Sequence, residues 1–544
     1  MKRPFVFLLI GIVAVAVGAL AFRLPRLALR PMHGDEANQA VKAGILLETG
    51  AYRYNPDEHH GPSLYYLTLP SFRLHSARTF AETDEGMYRI VPLAFGVAII
   101  LLLLLIGDGL GPPAAVVAAV LTAISSAMVF YSRYYVQEML LVFFTLAAIA
   151  CGWRYVRTKS VAWAALAGVA VGLMHATKET WVLAAAAMAG SLVLVLLWSR
   201  VAAVIAGLEG AARFASAVRD FLRPGAILAG VVAAVVVAGA LYSSFGANLR
   251  GPLDSVLAYS SYWNKAFDDK LHDHPWYYYI EILVACRPAR GFFWSEGLIV
   301  GLALAGFVAA LTRRGLSEGH KPLARFLAFY TLILTAAYSA ISYKTPWCML
   351  SFLCGMILLA GVGAAALVRL LPGRALKAIA CVALAAAAVQ LGWQACQLSY
   401  RFYADQRNPY VYAHPSSDVL NLAARMEQLA KVSPDGYNMQ VHVITPENYW
   451  PLPWYLRRFN QDHVGFWRKV DGLNGWWADV KALPPPDVLI VSPDVEAAVE
   501  QKLKGPYNRQ SMYGLRPTVL LQVWVRENLW ERMVSGESKG GGAK

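Results

Sequence analysis

The chain has 544 residues, 57% of them hydrophobic and 15% charged, against roughly 25% charged residues in an ordinary globular domain. This composition excludes a water-soluble protein built around one core. The formal net charge of +14 is concentrated in the apolar part: residues 396–544 hold 17 Lys+Arg against 15 Asp+Glu, which leaves 32 against 20 for the first 395. Positive charge beside apolar runs marks cytoplasmic loops of a membrane protein, and no basic-aromatic module for nucleic acid accompanies it.

In chain order, hydropathy predicts eleven membrane spans, at about 5–22, 89–107, 113–130, 139–153, 161–174, 181–198, 225–242, 296–311, 325–341, 347–366 and 378–395. Each approaches the length that crosses about 30 Å of hydrocarbon. The first follows Lys2-Arg3 and ends near Ala19-Leu20-Ala21, which resembles a signal-peptide cleavage site. Its uncharged length also suffices for an anchor, and with ten further spans behind it the anchor is the reading preferred. With a cytoplasmic N-terminus, the loops bearing Arg154, Arg157 and Lys159, then 200–223, then Arg313, Arg314, Lys321 and Arg325, then Arg369, Arg374 and Lys377 all fall inside. With the N-terminal Lys2-Arg3 and the 108–112 turn counted as well, the inner segments hold 16 basic and 4 acidic residues, the asymmetry expected of that orientation. The expected location is a bacterial inner membrane, with the functional face outside.

Two outer loops are long, at 23–88 and 243–295, and the chain ends in an outer segment of different character. There, helix-like stretches at 417–431 and 495–503 alternate with strand-like ones at 439–445, 487–491 and 518–525, predicting a small α/β domain over 397–535. Residues 536–544 read as a disordered tail. The expected fold class is therefore an α-helical polytopic membrane domain, 1–396, followed by a soluble α/β domain. The six cysteines, Cys151, Cys286, Cys348, Cys354, Cys381 and Cys396, show no CxxC spacing, so neither a disulfide framework nor a zinc cluster is indicated.

The first outer loop opens with His33-Gly34-Asp35-Glu36-Ala37. An acid pair there has a structural explanation, since acids in the first turn of an amphipathic helix complement its dipole. It also has a chemical one, a general base. Further on, His59-His60-Gly61-Pro62-Ser63-Leu64-Tyr65-Tyr66 contains a turn and an aromatic belt; its adjacent histidines lack the i, i+4 spacing of a helical metal site.

Four other outer segments are short, polar and aromatic: Tyr131 to Glu138 with Arg133, His175 to Trp181 with Lys178 and Glu179, His272 to Tyr279 with His274, and Ser342 to Trp347 with Tyr343 and Lys344. Singly, each cation could snorkel to lipid headgroups and each aromatic could sit in an interfacial belt. Together, three cations and several carboxylates at one level of a helical bundle would be expensive unless they line a cavity. Cations neutralise a lipid-linked phosphate, aromatic rings stack on sugars, and a carboxylate deprotonates an acceptor. No GxxxxGK[ST] or GxGxxG motif stands in a strand-to-helix context, so the sugar donor these residues suit is lipid-linked rather than a nucleotide sugar.

At these residues the chain resembles the GT-C class of membrane glycosyltransferases, in the family containing the dolichyl-phosphate-mannose protein mannosyltransferases and the bacterial aminoarabinose transferase of lipid A, and within it a subgroup described as flippase-activity-associated. The resemblance covers roughly residues 1–400 and rests on Asp35-Glu36, His60 to Tyr66, Tyr131 to Glu138, Thr177-Lys178-Glu179 and Tyr343 to Trp347. It implies that Asp35 is the catalytic base with Glu36 in reserve, that Lys178, Lys344 and Arg133 hold the donor phosphate, and that His60, Tyr65, Glu138, Glu179, His274, Tyr343 and Trp347 border the substrates. No cofactor is required, although a divalent metal could assist. The family's Pro-Pro-Leu core is replaced by Gly61-Pro62-Ser63-Leu64, so acceptor identity does not carry over.

The expected activity is inverting transfer from a polyprenyl-phosphate sugar to a lipid, glycan or protein acceptor. The rival is a flippase of lipid-linked sugars, which would show inverted repeats and a midplane site; no repeat is visible and the polar residues gather at span ends. A structural partner with a decayed site would have lost Asp35.

Overall fold

The apolar runs fold as helices because, inside hydrocarbon, a helix satisfies every backbone N–H and C=O within its own segment. A computed structural model describes residues 3–56, 60–205, 223–268, 272–312, 315–469, 475–476, 479 and 485–536. Arg313, Arg314, His59, most of the 200–223 loop and nearly all of the 536–544 tail therefore lie outside the described residues.

All eleven expected spans are helical. Among the described residues, eight helices are long and apolar enough to cross a membrane: those beginning at Phe5, Glu85, Glu138, Trp181, Pro224, Lys321, Pro346 and Arg374. A bent pair of helices stands at a ninth expected position. It comprises α5, Pro112–Ile124, and α6, Ser126–Ser132, bent by 58° relative to each other. Val161–His175 and Gly297–Thr312 are shorter apolar helices at the two remaining positions. The chain is a multi-pass membrane protein.

Contacts divide the chain into two compact units. The first comprises Met1–Leu27, Ala51–Thr68 and Tyr88–Tyr412; the second comprises Ala28–Gly50, Leu69–Met87 and Ala413–Lys544. In the first, glycines let helix backbones meet: a Cβ at Gly306 would stand 2.0 Å from the Leu359 carbonyl oxygen, and one at Gly363 2.0 Å from that of Leu302. Small residues at helix crossings are the usual solution where lipid offers no hydrophobic drive to association.

The bend between α5 and α6 has a specific cause. Ser125 leaves helical geometry, and Glu296, fully buried, accepts hydrogen bonds from Ala127 N and Ser125 Oγ, both at 2.9 Å. The carboxylate takes over donors that the preceding turn no longer satisfies.

The second unit is built on a five-stranded sheet. Its strands are β1 Val441–Ile444, β2 Val464–Trp467, β3 Val488–Val491, β4 Tyr507–Arg516 and β5 Val519–Arg526, in the order β2-β1-β3-β5-β4. β2, β1 and β3 run parallel; β3 with β5 and β5 with β4 run antiparallel. The three strands expected from sequence are β1, β3 and β5, and the two expected helices are Val419–Val432 and Glu496–Lys502. β1 and β3 are buried along their whole length, which explains the continuous apolar run of β3; β1 is interrupted by the buried His442.

The first-loop segments are integral to this unit. The Trp454 ring packs on Phe80 and its indole N–H donates to Glu85, Arg457 donates to the Thr83 carbonyl, and Met32 N donates to the Tyr455 hydroxyl. The Tyr449 to Tyr455 aromatic cluster thus serves in part as packing for residues 28–50 and 69–87.

Candidate functional site

The acid pair sits at the start of α2, Gly34–Thr49, in the second unit. His33 is the N-cap: its Nδ1 accepts the Asp35 N–H at 3.0 Å, and Glu36 Oε2 accepts the His33 N–H at 3.1 Å. This is a capping box with histidine as the cap. Glu36 is completely buried and lies 3.1 Å from Arg30 Nη2, an ion pair whose members expose 0% and 7% of their side chains. Asp35 is 54% exposed, and its carboxylate makes no hydrogen bond among the described residues. Its 3.9 Å approach to His33 Nδ1 is not a charge pair, because that nitrogen is already an acceptor. The helix-start explanation therefore holds for Glu36, while the Asp35 carboxylate stays open to solvent.

The remaining candidates lie in the first unit. Lys178, in the turn between α8, Val161–His175, and α9, Trp181–Ile205, is ion-paired with Glu138 at the first position of α7, Glu138–Thr158. Burial pulls the Lys178 ammonium down, but the Glu138 carboxylate more than reverses this, and the group ends well above its ordinary pKa. Glu138 Oε2 is buried with no protein partner among the described residues.

Beside this pair, Glu179 Oε2 lies 2.8 Å from His60 Nδ1, and the Tyr54 hydroxyl donates to its other oxygen at 3.4 Å. Burial pushes the Glu179 carboxyl up, yet His60, with the backbone and Lys178, holds it below the usual range. The four groups therefore form one electrostatic network.

Lys344 precedes the span Pro346–Leu370 and donates to the carbonyls of His274 (2.9 Å) and Ile341. Burial lowers its pKa, with Asp273 opposing. The His274 pKa is lowered by burial first and then by His272 and Lys344, with Asp273 opposing. Its ring stacks on Tyr278 at 4.1 Å. Tyr343 packs on His272 at 4.8 Å, and Trp347 stacks on Tyr134 at 5.7 Å. Tyr65 is fully buried against Tyr52, a packing position that leaves no ring face open.

Arg133 departs from its expected setting. Its guanidinium donates to the carbonyls of Arg23, Pro25 and Arg26 and to the Tyr400 hydroxyl, and it lies 4.6 Å over the Tyr400 ring. It closes the C-terminal end of α1, Arg3–Arg23, where carbonyls have no helical donor. Glu138, five residues on, pairs with Lys178 instead.

Sequence reasoning missed Arg30, the partner of Glu36, and Glu296, which sets the α5–α6 bend. Glu296 carried a usable signal, an acid directly ahead of an apolar run. Among the described residues, no three His, Cys, Asp or Glu side chains gather as a metal-ligand set.

Residues 69–218 match the family model described as dolichyl-phosphate-mannose-protein mannosyltransferase. ArnT from Cupriavidus metallidurans bound to undecaprenyl phosphate superposes with a TM-score of 0.63 at 15% identity, covering 94% of this chain and 97% of that one. The Archaeoglobus fulgidus oligosaccharyltransferase complex with Zn and sulfate superposes with a TM-score of 0.51 at 14% identity, covering 93% and 73%. No curated protein matches the sequence. The fold is the GT-C fold of ArnT, as the motifs from Asp35 to Trp347 led one to expect, and the mannosyltransferase match is confined to residues 69–218.

Proposed function

We propose that this chain, a multi-pass protein with the GT-C glycosyltransferase fold and a mannosyltransferase-family segment, moves a sugar from a polyprenyl-phosphate-linked donor to a lipid, glycan or protein acceptor on the outer face of a bacterial inner membrane. The observation that carries the reading is the contrast at the start of α2, where Glu36 is consumed by Arg30 and the cap while Asp35 presents an uncommitted, half-exposed carboxylate. The likeness to an ArnT structure holding undecaprenyl phosphate supports the donor class.

In this reading the acceptor heteroatom attacks the anomeric carbon as the bond to the phosphate oxygen breaks, inverting that centre. The acceptor's proton passes to Asp35, and the departing lipid phosphate needs no proton because it is a stable anion. Lys178 and Lys344 meet that phosphate. A partly compensated ammonium suits the task, since Lys178 is held charged by Glu138 yet kept from bulk water. His60, Glu179 and His274 border the substrates, and no metal is required by these steps.

The test is mass spectrometry of envelope lipids and glycans with and without the gene. Loss of one sugar substituent together with accumulation of a lipid-phosphate sugar is expected. An unchanged set of glycoconjugates, with lipid-linked sugars trapped on the cytoplasmic leaflet, would overturn transfer in favour of a flippase.

A further inference from the structure

One cleft is not used by the mechanism above. It has a volume of about 460 Å³ and lies in the second unit, between the helix Val419–Val432 and the segment that follows Trp454. Ala424, Glu427, Gln428 and Lys431 line one wall, Arg457 and Arg458 the other. The spacing of the first four is that of a single helix face, and the small Ala424 leaves the room that a longer side chain would occupy.

The two walls differ in freedom. The Arg457 guanidinium is fixed 3.7 Å over the Trp454 ring and donates to the Thr83 and Trp454 carbonyls at 2.7 and 2.9 Å. Glu427 accepts the Tyr437 hydroxyl at 2.6 Å and lies 3.6 Å from Arg458 Nη1. Lys431 and Gln428 are uncommitted, with no hydrogen bond or ion pair among the described residues. The cleft therefore combines three cations with one carboxylate, one amide and the small side chains of Ala423 and Ala424.

We infer that this cleft binds an anionic saccharide, a sugar carrying a phosphate or carboxylate, as part of the acceptor. The cations match the anion, while the Gln428 amide and the Glu427 carboxylate match ring hydroxyls. The volume suits one or two sugar rings. The inference rests on the transferase reading, and one connection joins them: Tyr455, which also lines the cleft, accepts the Met32 N–H through its hydroxyl, three residues before Asp35 on the chain. A group seated in the cleft is thus bound by the same compact unit that carries the proposed base.

The test is a saturation-transfer NMR titration of the full-length protein in detergent with glucose 6-phosphate, glucose and inorganic phosphate. Glucose 6-phosphate should bind at least tenfold more tightly than either component alone. Lys431→Ala should weaken it at least tenfold, and Ala424→Leu, which fills the cleft without altering charge, should do the same, while both variants keep the parent's melting temperature. No binding to the parent, binding to either variant as tight as to the parent, or inorganic phosphate binding as tightly as the sugar phosphate would overturn the inference. Asp35→Asn should bind glucose 6-phosphate like the parent, which separates the two readings. A protein that transfers sugar without binding this probe defeats the cleft alone, and one that binds the probe but never transfers defeats the transferase alone.

Discussion

Glu36 and Arg30 form a buried ion pair at 3.1 Å, one residue along the chain from a carboxylate that is half exposed to water. Adjacent acids on one helix turn point about 100° apart, so one faces the unit's interior and the other leaves it. Their substitutions should separate cleanly. Asp35→Asn removes the base while keeping shape, and transfer should fall by about a hundred- to ten-thousandfold, with donor binding and membrane abundance unchanged. Glu36→Ala strands a buried guanidinium, a loss of about 3–5 kcal/mol, and should lower the melting temperature while the folded fraction retains turnover. An Asp35→Asn protein that transfers at the parent rate would falsify the catalytic assignment.

The three basic candidates should not behave alike. Lys344→Ala should weaken binding of undecaprenyl phosphate by about ten- to a hundredfold, corresponding to about 1.5–3 kcal/mol for a charge-assisted contact. Lys178→Ala should be read together with Glu138→Gln, because the single variant leaves a buried carboxylate without its cation. Arg133→Ala releases three carbonyls at the end of α1 and should destabilise the protein while binding the donor within threefold of the parent. Equal donor binding by all variants in a lipid-binding titration would remove the lysines from the site.

The His60–Glu179 pair sets a pH signature. Because the folded Glu179 carboxyl lies below its ordinary value of 4.5, the pair's stabilisation is fully present above that value and is lost as pH falls through the folded pKa. Melting temperature should therefore decline more steeply below about pH 4.5 in the parent than in Glu179→Gln. Parallel profiles would mean that the pair contributes nothing.

Orientation has its own test. In a cysteine-free background, a cysteine at Ser416 should react with a membrane-impermeant thiol reagent in intact spheroplasts, and one at Ser317 should not. The reverse pattern would place the proposed acceptor chemistry on the wrong face.

The spans were legible because hydrocarbon demands long apolar runs, and the sequence signals for β1, β3 and β5 were strong because those strands are half or fully buried. β4 was not legible: as an edge strand with residues such as Asn508, Arg509 and Gln510, it lacks clear alternation. β2 is four residues long and β-rich only at Val464, Phe466 and Trp467. At the site, the motifs drew attention to Asp35 and Lys178, but the division of labour between Asp35 and Glu36 depends on Arg30, whose proximity is a tertiary fact. Arg133 reads as a phosphate ligand until the carbonyls that terminate α1 are seen around it. Nor could periodicity reveal that Trp454 and Arg457 pack against Phe80 and Thr83.

That last pairing has a consequence for biosynthesis. The helix bearing Asp35 leaves the ribosome hundreds of residues before the strands and helices it packs against, so the unit cannot close until the chain is nearly finished. Non-local contacts of this span are slow to form and leave apolar surface exposed meanwhile. Chains arrested at residue 412 should insert their spans yet show a protease-sensitive 28–50 segment, and they should be inactive although every expected phosphate-binding lysine is already made. Activity would therefore be acquired only after translation is complete.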